Sequence, residues 1–439
     1  MKKKTIYIPI EWRNREFDSY ILFAHFAIKR NYRVLIGAKR PLFDYLKKKR
    51  EKGGIYIEKG GLEKKMCEFI NEKCDAHAVI DQEIGPINNY RLSFKIPTRF
   101  YFDTLKFIDL YFCVSKRVYK IAKDEILKKM RGKIVLAGWP RIDLWKPKSQ
   151  NFYQKESDEI KQKYKNYYLF SSNFICTDLN QIKRYSKRQD LNHWKNTNAY
   201  DEIPALIKRL KNGYKEFILF KKFLKEYEKT KGLPKLVIRP HPSENIDHWR
   251  SSTKGFKNIK IERKFDITPW INCSEAVLHR GCTSSVQGLI AKKKVIFIKL
   301  QKRILLHKEN ISDKISTNII SNPNQLKKKL NMNFNEKINF LKKNGYLYIK
   351  EDSGKTVIKE FQRLKKVRKE ELFKYNFIDK NIYYLKSFFY FLKSFFLLKR
   401  YRHKNPEGFK KDYVISKFKL ANLYYNKINK INNNLLLIE

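Results

Sequence analysis

The chain has 439 residues, 42% of them apolar and 15% aromatic, with 97 Lys and Arg against 44 Asp and Glu. That length holds two or three domains with cores of their own, and the apolar content excludes a disordered chain. The net charge of +53 raises the question of nucleic acid, yet lysines run along the whole chain beside abundant Asn and Ile, with no zinc-finger spacing and no RNP aromatic pattern.

No nucleic-acid partner is therefore expected, and a diffuse positive field suits an anionic membrane surface better. Six cysteines are scattered without a C-x-x-C pair, which predicts reduced thiols in a cytoplasmic protein and no zinc site. The basic start Met1–Lys4 is followed by the short apolar segment Thr5–Ile10 and then by Glu11, Arg13, Arg15 and Glu16, which reads as a first strand rather than a secretion signal. No stretch reaches the ~18 apolar residues of a spanning helix.

In chain order, strands are predicted at Thr5–Ile10, Arg33–Ile36, Gly54–Ile57, Ala76–Ile80, Leu110–Val114 and Lys133–Ala137. Helical patterns such as Phe17–Lys29, Leu62–Asn71 and Lys116–Met130 lie between them. This alternation predicts a doubly wound parallel sheet, closed by Gly138-Trp139-Pro140 and followed by a polar linker over Lys146–Lys165. A second series has strands at Tyr167–Phe170, Leu236–Ile238, Ile259–Ile261, Ala276–Leu278 and Val295–Ile298, with helices at Ile203–Thr230, Ser285–Ala291 and Gln325–Leu330. The fold class is thus α/β: a Rossmann-like acceptor domain over 1–150, a Rossmann-like nucleotide-donor domain over 151–350, and a helical, aromatic and basic tail over 351–439. Ligand is expected in a crevice between the two domains.

The tail carries a tandem heptad repeat, Tyr383–Phe389 and Tyr390–Phe396. On a helix, Lys386, Lys393 and Arg400 form a narrow basic stripe beside a broad aromatic face, the pattern of a helix lying in a membrane interface or packing on protein.

Three constellations carry chemistry. Arg239-Pro240-His241-Pro242 ends one strand, and His279-Arg280-Gly281-Cys282-Thr283-Ser284-Ser285 ends another and opens a helix. Imidazole, guanidinium, hydroxyls and helix N–H groups at strand ends suit a departing phosphate. No Asp-x-Asp pair occurs, so no metal and no resident cofactor is expected. Asp81-Gln82-Glu83 follows the strand Ala76–Ile80, where a carboxylate can take a proton from an acceptor hydroxyl. Arg13 and Arg15, after the first strand, suit a carboxylate of donor or acceptor. Ser353-Gly354-Lys355-Thr356 imitates the end of a P-loop but lacks its first Gly, since Ile349 stands there; Ser353 is read as a helix cap.

Together with Pro9–Glu16, Gly37–Arg40, Gly138–Asp143 and Ser171–Phe174, these motifs give the chain a resemblance to the bacterial surface carbohydrate biosynthesis proteins, relatives of GT-B glycosyltransferases. The set is also similar to that of the GT-B sialyltransferases and Kdo transferases, which use CMP-activated acidic sugars. The resemblance implies a metal-independent glycosyltransferase acting in surface polysaccharide biosynthesis. It implies Glu83 as general base with Asp81 in support, His241 assisting phosphate departure, and Ser284 and Ser285 binding that phosphate; Gln82 in place of an acid leaves Asp81 and Glu83 both open as the base. Arg239, Pro242, Arg280 and Thr283 complete the expected nucleotide site. A nucleotide-sugar donor and a glycan or lipid-linked acceptor are the expected partners, with the enzyme peripheral on the cytoplasmic face of the inner membrane. A CDP-polyol phosphotransferase, a UDP-sugar transferase or epimerase, and a non-enzymatic basic membrane or nucleic-acid binder are the alternatives.

Overall fold

The structure is a computed structural model. It describes residues 2–81, 102–174, 176–180, 182–183, 203–241, 244–300, 311–328, 330–373, 382, 385, 408–432 and 434–439. Among these, one compact unit contains the chain up to 81, 102–153 and the described residues from Leu347 onward; the other runs from Gln154 to Tyr346.

The first unit begins with β1 (Lys4–Ile10), β2 (Tyr32–Ala38), β3 (Ile55–Glu58), β4 (Ala76–Ile80), β5 (Leu110–Cys113) and β6 (Lys133–Leu136). The second is built on β7 (Tyr167–Ser171), β8 (Lys235–Arg239), β9 (Ile259–Ile261), β10 (Ala276–His279), β11 (Lys294–Ile298) and β12 (Asn318–Ile320), all parallel. Both sheets are covered on their two faces, which is why their strands read as near-continuous apolar runs rather than alternating ones. In β7, Tyr167 and Leu169 meet Trp270 and Ile271 on one face, while Tyr168 and Phe170 meet Phe220 and Trp249 on the other. The strand order of the second sheet, β12-β11-β10-β7-β8-β9, reverses direction at the β7–β10 pair. The α/β class and the two Rossmann-like units are those expected.

Near the C-terminus the chain adds β13 (Ile428–Asn432) and β14 (Leu435–Ile438), an antiparallel hairpin whose second strand pairs with β2. The run Leu435-Leu436-Leu437-Ile438 is buried, so the first sheet holds eight strands in the order β13-β14-β2-β1-β3-β4-β5-β6. The hairpin departs from the helical tail expected, because the aromatic and basic composition of that region hides a short apolar run that pairs only across the fold. The tandem repeat at 383–396 lies outside the described residues, apart from Leu385, which is exposed.

Two further segments differ from expectation. The boundary between the two units falls within Lys146–Lys165, but the segment is ordered: it contains a 3-10 turn, Pro147–Tyr153, and the helix Gln154–Lys163. Ile160 and Tyr164 are buried against Trp270 and Ile271, a single apolar contact per turn that a polar composition hides. The helix Ser353–Gln362 has Asp352, not Ser353, in the N-cap position. Asp352 accepts from Lys146 at 2.9 Å and Lys148 at 2.7 Å, which with its neighbours holds its carboxyl down at about 2 despite partial burial.

The chain after that helix is fastened to the first sheet by Glu370. Its buried carboxylate accepts from the Tyr7 hydroxyl at 2.8 Å and pairs with the buried Lys49 ammonium, while the Arg33 guanidinium donates to its backbone carbonyl. Gly37 in β2 is required for the hairpin to dock, since a Cβ there would lie 1.9 Å from the Asn434 carbonyl oxygen. Gly37→Val is accordingly expected to cost about 1–3 kcal/mol by overpacking and to expose the Leu435–Ile438 amides to hydrogen exchange; unchanged protection of those amides would refute the docking role.

Candidate functional site

In an open parallel sheet, ligands bind outside the carboxyl ends of the strands, at the point where strand order reverses. In the second unit that point lies at the ends of β7 and β10, with β8 on the other side of β7. Register sets Ser171 level with both Arg239 and His279, so the three strands end in one row. Each strand runs out into a polar turn: Ser172-Asn173-Phe174 after β7, Pro240-His241 after β8, and Arg280-Gly281-Cys282-Thr283 after β10.

The turn after β7 is tied to both neighbours. Ser172 N–H donates to the Arg239 carbonyl at 3.0 Å, and Asn173 Nδ2 donates to the Gly281 carbonyl at 3.2 Å. The Cys282 thiol points to the Ser171 carbonyl at 3.8 Å and lies 2.6 Å from Ser284 Oγ. Gly281 has φ +91, a conformation that L side chains rarely adopt, and its N–H donates to His279 Nδ1 at 2.9 Å. That bond fixes the His279 tautomer, leaving Nε2–H to donate to Ser316 Oγ at 2.9 Å. His279 is fully buried and serves the turn rather than a ligand.

The expected nucleotide residues divide sharply by what they touch. His241 is exposed at the end of β8, with its carbonyl accepting from Arg263 at 2.9 Å and from Glu244 N–H at 2.8 Å. Arg239 is turned the other way. Its guanidinium donates to the carbonyls of Lys264 at 2.6 Å and Phe265 at 2.8 Å and stacks over Trp270 at 5.4 Å. Burial lowers its pKa to about 10, which leaves it cationic at neutral pH. Arg280 is buried with its guanidinium 3.8 Å above the Phe174 ring and paired with Glu216. Thr283 is half-buried at the N-cap of the helix Ser284–Ile290, Ser284 is buried, and Ser285 is fully buried with its hydroxyl donating to the Cys282 carbonyl at 2.6 Å. The two arginines and Ser285 therefore build the walls of the strand-end row, while His241 and the half-buried Cys282 and Thr283 reach solvent. Pro242 lies outside the described residues.

In the first unit, Asp81 is buried immediately after β4; Gln82 and Glu83 lie outside the described residues. Burial first, then the Asp81 charge, pushes the neighbouring Cys113 thiol well above its ordinary value. Arg13 is buried, with its guanidinium 4.7 Å from the centre of the Tyr413 ring and 5.6 Å from that of Phe17, and Arg15 is half-buried. Glu16 closes the start of its helix by accepting Glu11 N–H at 2.9 Å, and burial raises its carboxyl.

One residue of the second unit is not marked by any sequence motif. Glu244 is 7% exposed, and its carboxyl accepts from Ser172 Oγ at 2.5 Å, Phe174 N–H at 2.7 Å and Trp249 Nε1 at 2.8 Å. Burial pushes this carboxyl up to about 7, against the Ser172 and Trp249 side chains and the backbones of Phe174 and His241, which favour its charge. Its position two residues beyond Pro242 is the only signal the sequence offers, and an acidic residue after a proline turn is common in loops.

No family model and no curated protein matches this chain. Solved structures that resemble it include the wall teichoic acid polymerase TagF, 12% identical with a TM-score of 0.48 over 82% of this chain and 89% of that one. They also include UDP-GlcNAc 2-epimerases from Neisseria meningitidis (12% identical, TM-score 0.45, 83% of this chain and 100% of that one) and Methanocaldococcus jannaschii (11%, 0.43, 82% and 100%). Likenesses this distant concern the outline of the chain and carry nothing about its activity.

The geometry makes two outcomes measurable. Arg239→Met should leave the Phe265 carbonyl without this donor and the Lys264 carbonyl with the Trp270 indole N–H alone, and cost about 0.5–1.5 kcal/mol in denaturant unfolding; an unchanged midpoint would show that these bonds do not hold the fold. Glu244 has its folded pKa raised, so its stabilisation is complete below the ordinary value of 4.5 and is lost as pH rises through about 7. Between those limits the wild type should lose about 3 kcal/mol relative to Glu244→Gln, and parallel stability–pH curves would contradict the raised pKa.

Proposed function

We propose that this chain is a GT-B glycosyltransferase of surface polysaccharide biosynthesis, moving a sugar from a nucleotide donor to a glycan or lipid-linked acceptor. The reading of the donor as a CMP-linked nonulosonic acid or Kdo-like sugar rests on the sequence motifs. The observation that carries the proposal is the exposed His241 at the end of β8, in the same strand-end row as β10, which runs on into the hydroxyl-bearing start of the helix Ser284–Ile290.

In this mechanism the nucleotide phosphate sits over the ends of β7, β8 and β10. The C–O bond between the anomeric carbon and the phosphate breaks, and its electron pair leaves with the phosphate oxygen. His241 and the Thr283–Ser284 hydroxyls neutralise that growing charge, while Arg239, Arg280 and Ser285 hold the backbone that presents them. Glu83 or Asp81 of the first unit takes the proton of the acceptor hydroxyl as the new glycosidic bond forms. Arg13 or Arg15 receives a carboxylate of donor or acceptor. No step calls on a divalent ion or a resident cofactor.

The place of action proposed is the cytoplasmic face of the inner membrane. No helix among the described residues is long and apolar enough to cross a membrane. The repeat at Tyr383–Phe396 is the proposed membrane contact. Truncation before it would also remove β13 and β14, so charge reversal is the appropriate probe.

A thermal-shift panel of CMP, CDP, UDP and GDP reads the nucleotide directly. CMP should raise the melting temperature most, and the shift should vanish in His241→Ala. With a competent donor and acceptor, His241→Ala should lower turnover by about 10²–10⁴-fold with the fold retained, and near-wild-type transfer would remove His241 from the mechanism. Lys386→Glu with Lys393→Glu should release the protein from anionic vesicles, and undiminished binding would return the repeat to a packing role.

A further inference from the structure

We infer that Glu244 is the positioning residue of the strand-end site: its side chain locks the turn after β7, and its backbone N–H holds the carbonyl of His241. This deepens the proposed function and rests on it in one respect, that His241 is the group meeting the nucleotide phosphate.

The geometry supplies both halves of the link. Glu244 N–H donates to the His241 carbonyl at 2.8 Å. The Arg263 guanidinium bonds both residues, donating to the His241 carbonyl at 2.9 Å and the Glu244 carbonyl at 2.6 Å. The Glu244 side chain then crosses to the neighbouring strand end, where Ser172 and Phe174 donate to it at 2.5 and 2.7 Å. Trp249, fully buried on the helix Ile246–Ser252, donates the third bond at 2.8 Å and locks the carboxyl from below. Asn173 and Phe174 of the same turn after β7 reach Gly281 and Arg280, so the turn that the carboxyl locks also meets the end of β10.

The donor set determines which ionic form does this. The Phe174 and Trp249 N–H groups can only donate, whereas the Ser172 hydroxyl can reverse its role. A carboxylate satisfies all three. A protonated carboxyl must spend one oxygen as a donor, with Ser172 the partner able to receive it. The charged group facing Glu244 is Arg263 from the segment after β9, whose own charge is affected by Asp247 and Arg250 of the helix Ile246–Ser252. The turn after β7 brings Ser172, Asn173 and Phe174, none of them charged. Deprotonation through neutrality thus tightens the local link, even as desolvation of the charge lowers the stability of the whole fold, and protonation loosens it.

The test uses the full chain without any nucleotide. The indole N–H resonance of Trp249, assigned among six tryptophans by Trp249→Phe, reports the Glu244 carboxyl. It should move with pH around neutrality in the wild type and stay still in Glu244→Gln. Diethyl pyrocarbonate labelling of His241, followed by peptide mass, reports how that side chain is presented. The labelling rates of wild type and Glu244→Gln should differ severalfold at about pH 8 and converge at about pH 6, either side of the imidazole range. Equal rates at both pH values would overturn the inference. Should Glu244→Gln fail to fold, Ser172→Ala keeps the carboxyl and removes one donor, so the Trp249 midpoint should rise; an unmoved midpoint would overturn it equally. Because neither readout needs a ligand, a failed nucleotide panel would sink the proposed function while leaving the positioning role standing, and the reverse holds too.

Discussion

A buried carboxyl with three donors around it organises the second unit. Parallel strands end independently, and nothing in a sheet ladder obliges the loops beyond them to sit in one arrangement. Glu244 supplies that obligation. It joins the turn after β7 to the turn after β8, and the β7 turn is joined in its own right to the one after β10. Burial raises the cost of its charge while the donors lower it, and the two effects leave the group near neutrality. A group balanced in this way is sensitive to small changes around it, as groups at functional sites often are.

The arginines illustrate how residue type and role separate once a chain folds. Arg239 and Arg280 stand in the motifs that point to a phosphate. In the structure, one is bonded to the carbonyls of Lys264 and Phe265, and the other lies on Phe174 and pairs with Glu216. Both hold the frame around the strand ends. A guanidinium carries five donors in a rigid fork, and loop carbonyls use them as readily as a ligand would. His241 is the exposed residue of the row, at the end of β8.

The first unit shows a different constraint, the return of the chain. Residues beyond Leu347 pack with residues before Tyr153, and buried contacts at Glu370, Asp352 and the β13–β14 hairpin fasten them. Each contact spans hundreds of residues of sequence. The tail is thus part of the first core, and the aromatic repeat at Tyr383–Phe396 is an insertion between a buried anchor at Glu370 and a buried strand at Leu435–Ile438.

Local chemistry carried most of the architecture into the sequence. Apolar runs of three to seven residues separated by amphipathic stretches can form little other than a parallel α/β sheet, so eleven strands and the motifs at their ends were legible from pattern alone. The strand β12 (Asn318–Ile320) and the hairpin were not, and Leu435–Ile438 becomes a strand only by pairing with β2, about 400 residues away. The site divides along the same line. Sequence alone determined that cationic and hydroxyl side chains stand at the ends of β8 and β10. Tertiary structure decided which of them face solvent, which hold carbonyls, and that Glu244 binds them together, because a hydrogen bond's partner depends on position in space and not on spacing along the chain.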